Sequence, residues 1–76
     1  MQKIHIGKLI QKEVKKSKRK VTEITEELGM ARGMMYSIYK RKSMQTALLE
    51  RIGDVLNHNF FKYYSEALSR ELKKRR

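Results

Sequence analysis

The stretch from Val21 to Tyr39, VTEITEELGMARGMMYSIY, narrows the possible folds more than any other part of the chain. Its apolar residues recur at helical spacing on both sides of Gly29. Ile24 and Leu28 mark one inward face, and Met35 and Ile38 mark the next. Leu28-Gly29-Met30 fits a tight turn, because glycine enters the left-handed backbone region without the steric cost other residues carry. Two short amphipathic helices joined this closely have the outline of a helix-turn-helix.

The flanking sequence continues the pattern. Ile6, Leu9, Ile10 and Val14 predict a first helix over Ile6–Ser17, followed by a polar connection through Lys20. Thr22 is the expected N-cap of the second helix, with Thr25 and Glu26 completing a polar, acidic first turn. The second helix ends at Gly29. The third runs from near Ala31 to Tyr39 or Lys40 and gives way to the basic loop Lys40-Arg41-Lys42-Ser43. Leu48, Leu49, Ile52, Val55 and Leu56 form the broad apolar stripe of a fourth helix, with Asn57 suited to a left-handed cap. Asn59 then caps a fifth helix carrying Phe60, Phe61, Tyr64, Leu68 and Leu72. No strand pattern is visible, so the expectation is an all-α, compact five-helix domain.

With 76 residues, 39% of them hydrophobic, the chain can build one small core. It has no cysteine for disulfides or thiolate zinc sites. No run approaches the roughly 18 apolar residues of a membrane span, and the charged N-terminus lacks the apolar core of a secretory signal. His5 and His58 are too far apart for a helix-borne metal pair. The chain carries no nucleophile with a matching base, no paired carboxylates and no phosphate-cradling glycine loop. The expectation is a soluble, cytoplasmic protein that is not an enzyme and uses no metal or other cofactor.

Charge supplies the functional clue. Nineteen lysines and arginines face eight acids, a formal net charge of +11. Residues 3–20 hold eight bases against the single acid Glu13, and Lys73, Lys74, Arg75 and Arg76 close the chain. Glu23, Glu26 and Glu27 form an acidic knot between them. Such a field attracts polyanions, which makes nucleic acid the expected partner.

In element order, turn glycine and charge, the chain resembles short bacterial or phage regulators of the Xre/Cro family, with their phage-repressor-like fold. Ile24, Leu28, Gly29 and Met30, then Met35 and Ile38, carry the resemblance, together with the KRKS loop and the segment LLERIGDVLNH. It covers about residues 4–66. Three positions depart from the family pattern: Thr25 where a small alanine is usual, Ala31 where a serine-like cap is usual, and Val21 where a glutamine is frequent.

The resemblance implies a helix-turn-helix DNA-binding domain over residues 1–66, leaving 67–76 as a basic helical tail. It implies base contacts from Arg32, Gly33 and Ser37 and a nucleoid-associated transcriptional regulator, most simply a repressor. An arginine can fork onto a guanine edge, and the place of Arg32 at the helix start favours that contact over a solvated surface residue. Gly33 costs about 1 kcal/mol inside a helix, which close approach to DNA would explain; a glycine merely tolerated by packing is the alternative. Thr22, Tyr36, Lys40, Arg41 and Lys42 are the expected phosphate contacts. The lysines of the first helix are poorer candidates, since much of that helix lies away from the groove in this fold. Phe61, Tyr64 and Leu68 are the expected contact of a homodimer, unless the aromatics simply close the core. Two rival functions remain: a nonspecific nucleic-acid binder, and a protein-interaction module using the fifth helix.

Overall fold

Five helices and no strand make up residues 4–74, the part of the chain that a computed structural model describes. Lys3, Arg75 and Arg76, counted above in the basic clusters, lie outside the described residues. The helices are α1 (Ile6–Ser17), α2 (Val21–Leu28), α3 (Arg32–Tyr39), α4 (Thr46–Leu56) and α5 (Phe61–Lys74).

Each helix of the first four turns one apolar stripe inward. Ile6, Ile10 and Val14 meet Ile24 and Leu28, Met35 and Ile38, and Leu49 and Ile52 in a single core. α1 packs on α3 and α4, and α2 packs on the same two helices. The spacing of these residues at three and four positions is what brings them onto one face of each helix.

Two helices end in the same way. Gly29 takes φ 69°, and the amides of Gly29 and Met30 bond back to the carbonyls of Glu26 and Thr25. Asn57 takes φ 53°, and the amides of Asn57 and His58 return to Asp54 and Gly53. Both arrangements satisfy last-turn carbonyls that a helix otherwise leaves open.

Arginines finish the work. Arg51 of α4 donates to the Leu28 carbonyl at the end of α2. Arg19 donates to the Val55 carbonyl near the end of α4 at 2.9 Å and pairs with Glu27 of α2. Two of the basic charges therefore lock α2 and α4 together.

The expected cap of α2 is corrected. Lys20 occupies the N-cap position with no side-chain bond, and Thr22 is already inside the helix. The first-turn acid is consequently Glu23, not Glu26. Thr25 is buried at 3% exposure, and its hydroxyl donates back to the carbonyls of Val21 and Thr22 at 3.0 and 3.1 Å. That local bonding satisfies a polar group that would otherwise be costly in the core.

α5 is held differently. Asn59 opens it, its Oδ1 accepting the Phe61 amide at 3.0 Å. Phe60, just ahead of the helix, is the aromatic plug of the core. His58 bridges α1 and α5: its Nδ1 lies 3.2 Å from a Glu13 carboxylate oxygen and its Nε2 2.8 Å from the Tyr63 hydroxyl. Ala67 is buried and Tyr64 half-buried, while Phe61, Leu68 and Leu72 are exposed. α5 runs unbroken through position 67, where the tail was expected to begin.

Candidate nucleic-acid interface

α3 owes its position to the residues on its inner side. Met35 and Ile38 are fully buried, which leaves Arg32, Gly33, Tyr36, Ser37 and Lys40 exposed on the opposite side. At 100° per residue those five positions fall within an arc of about 140°, so they form one continuous face. Met35 and Ile38 are the inward residues expected from the sequence.

The chemistry of that face is mixed and free of acid. Arg32 is the first residue of α3, and Lys40 is the residue that caps its end. Ser37 adds a hydroxyl between them. Tyr36 is 51% exposed, and its ring meets that of Tyr39 edge-on at 5.9 Å. Met34, at 46% exposure, flanks the face and contributes an apolar patch rather than core filling.

Gly33 is bare. A Cβ built there meets nothing within 4 Å, and its backbone is not in the left-handed region. Neither packing nor turn geometry requires a glycine at this position. Its effect is to leave the backbone of α3 accessible between Arg32, Tyr36 and Ser37.

The loop after α3 has two jobs. The side chains of Lys40, Arg41 and Lys42 are exposed, as phosphate contacts need to be. The backbone carbonyls of Arg41 and Lys42 accept the amides of Gly7 and Ile6, at 2.9 and 3.2 Å. This fastens the start of α1 to the end of α3. Gly7 makes the approach possible, because a Cβ there would collide with the carbonyls of Ile38 and Tyr39.

Sequence reasoning overlooked that junction. The signal was present in Gly7 itself, which lies among Ile6, Ile10 and Val14, where a helix seeking only core volume would carry an apolar side chain. The junction brings Lys8 and Gln11 of α1 and its cap His5 beside Tyr36 and Tyr39 of α3 and its cap Lys40, around one cleft. Burial, then the neighbouring Tyr36, raises the Tyr39 hydroxyl above its ordinary pKa.

Thr22 is exposed on the first turn of α2. The acids of α2 point to solvent: Glu23, Glu26 and Glu27 are exposed, and Glu27 is paired with Arg19. Among the described residues, no group of three or more histidines and carboxylates is arranged to hold a metal ion, and no helix is long and apolar enough to cross a membrane.

The chain matches no protein-family model, no curated protein and no solved structure.

Proposed function

We propose that this protein is a helix-turn-helix transcriptional regulator that binds double-stranded DNA with sequence preference and represses by occupying its site. One observation carries the reading. A helix joined to its neighbour by a tight glycine turn presents Arg32, Gly33, Tyr36, Ser37 and Lys40 on an open face without a single acid. An α-helix of this kind fits the major groove, where side chains reach base edges.

The roles follow from chemistry. Arg32 forks onto a guanine edge, and Ser37 donates to or accepts from a neighbouring base. Gly33 lets the helix backbone approach the bases. Thr22, Tyr36, Lys40, Arg41 and Lys42 hold phosphates, which fix the position of the protein and supply most of its affinity. A homodimer formed through Phe61, Tyr64 and Leu68 of α5 would double the sequence read, with half-sites about 34–36 Å apart.

Selection from a random duplex library, followed by competition with scrambled duplex, tests the reading. The expected outcome is an enriched site that scrambled DNA competes poorly. Arg32→Ala then costs about 1–3 kcal/mol on that site and little on scrambled DNA. Gly33→Ala has a double effect: it stabilises the fold by up to about 1 kcal/mol while weakening binding. Equal affinity for all sequences would reduce the protein to a nonspecific nucleic-acid binder.

The exposed Phe61, Leu68 and Leu72 of α5 favour a second reading, a protein-interaction module. Negligible duplex binding near physiological salt would select it.

A further inference from the structure

We propose that the cleft between the start of α1 and the end of α3 is a phosphate site for the duplex lying on α3, so that α1 takes part in DNA binding through Lys8, His5 and Gln11. The inference rests on the DNA-binding reading above and extends it to a helix that the sequence pattern left out.

The cleft is lined by His5, Lys8 and Gln11 from one helix and Tyr36, Tyr39 and Lys40 from the other. Positions 5, 8 and 11 recur at three-residue spacing and so follow one side of α1. The result is two ammonium groups, two phenols, an imidazole and an amide, with no carboxylate. Two other clefts include carboxylates: one is lined by Glu50 and Asp54, and the other, which shares His5 and Lys8, adds Glu66 and Arg70. The cleft beside α3 offers a phosphodiester cations with no carboxylate in its lining. Every lining group except the two ring faces can donate a hydrogen bond to a phosphate oxygen.

Side chains, not the helix terminus, must do this. The amides of Ile6 and Gly7 are taken by the carbonyls of Lys42 and Arg41, and those of Lys8 and Leu9 by the Nδ1 and carbonyl of His5. The positive end of α1 thus has its first amides already bonded. Because His5 Nδ1 accepts the Lys8 amide, the neutral ring carries its proton on Nε2, which remains available as a donor.

Continuity points to the same duplex as occupant. Tyr36 and Lys40 belong both to the exposed face of α3 and to the cleft wall. DNA seated on that face runs directly past Lys8.

Salt titrations with a labelled duplex of mixed sequence test the site. Wild type gives a linear fall of log K with log salt. Lys8→Ala is expected to flatten the slope by about 0.9, the value for one phosphate, and to do so on every sequence alike. Tyr39→Phe weakens binding without changing the slope. Lys62→Ala, an exposed lysine on α5 outside the cleft, serves as the charge control and leaves the slope nearly unchanged.

If Lys8→Ala and Lys62→Ala behave identically while wild type binds DNA, the cleft assignment is wrong and the DNA-binding reading survives. If wild type binds no duplex, both fall together. Inorganic phosphate or a mononucleotide, titrated without DNA at constant ionic strength, provides the last arm. Saturable shifts of the Tyr36 and Tyr39 resonances, abolished by Lys8→Ala while the salt slope for DNA is the same in Lys8→Ala and wild type, would reassign the cleft to a free anion and overturn the proposal.

Discussion

The body formed by α1 to α4 and the fifth helix are built from similar residues but held in different ways. The body interleaves fully buried isoleucines and Met35 from all four helices, then closes its helix ends with Gly29, Asn57, Arg19 and Arg51. α5 depends on Phe60 ahead of it, the bridge from His58 to Tyr63, and one buried alanine. It keeps Leu68 and Leu72 half in water. The difference teaches that a 76-residue chain can be fully packed beneath the basic face of α3 and still leave apolar surface exposed on its last helix.

The largest expected effect breaks the body. Gly7→Val forces a branched side chain into the backbone carbonyls of Ile38 and Tyr39, which cannot move without displacing α3. A loss of about 3 kcal/mol or more is expected in denaturant unfolding. A variant that folds with wild-type stability would mean that α1 and α3 do not touch as described.

Next comes the turn. Gly29→Val places a β-branched residue at φ 69° and should cost at least about 1 kcal/mol, although no neighbouring atom lies within 4 Å of its Cβ. Since crowding is absent, Gly29→Asn should recover much of that loss. Comparing the two melting curves separates backbone strain from packing.

The third test is on α5. The double variant Tyr64→Asp, Leu68→Asp should leave the helical signal of the body largely intact and change the oligomeric state seen by sedimentation. A wild type that stays monomeric at high concentration, and binds one half-site as tightly as a palindrome, would end the idea of a dimer.

The smallest effect is alkaline. Burial comes first among the causes that raise the hydroxyls of Tyr39, Tyr63 and Tyr64; Tyr36 adds to it for the first, and Glu13 and Glu66 for the second. Below about pH 10 these phenols are neutral in both the folded and unfolded chain, so their contribution is fully present. Above that value the unfolded chain ionises first and stability falls as pH rises through the raised values. Tyrosinate absorbance followed alongside unfolding checks it. Tyr63→Phe should soften the alkaline loss at α5, whereas Tyr39→Phe should soften it in the body.

Much of the fold was legible because periodicity records which side of a helix is buried. Ile6 to Val14 predicted the bounds of α1, and Met35 and Ile38 predicted which side of α3 turns inward. Gly29 and Asn57 were readable because few residues tolerate positive φ. Periodicity does not say which helix another will meet. Hence the fit of Gly7 against α3, the arginines spanning α2 and α4, and the place of His58 between Glu13 and Tyr63 were invisible. Thr22 misled for a local reason: a threonine suits a cap, but the cap position falls two residues earlier, at Lys20. The exposed face of α3 was legible residue by residue, whereas the cleft was not, since half of it comes from α1.

The bonds from Ile6 and Gly7 to Lys42 and Arg41 also bear on the order in which the chain becomes organised. They close a loop of more than thirty residues, whereas α2 and α3 meet across one short turn. Local contacts cost less chain entropy and form faster, so the α2–α3 pair is expected to assemble first and α1 to clasp it afterwards. Native-state hydrogen exchange offers a direct view. The amides of Ile6 and Gly7 should exchange only through opening of that clasp, and the proposed binding mode predicts that their protection rises when duplex DNA is added.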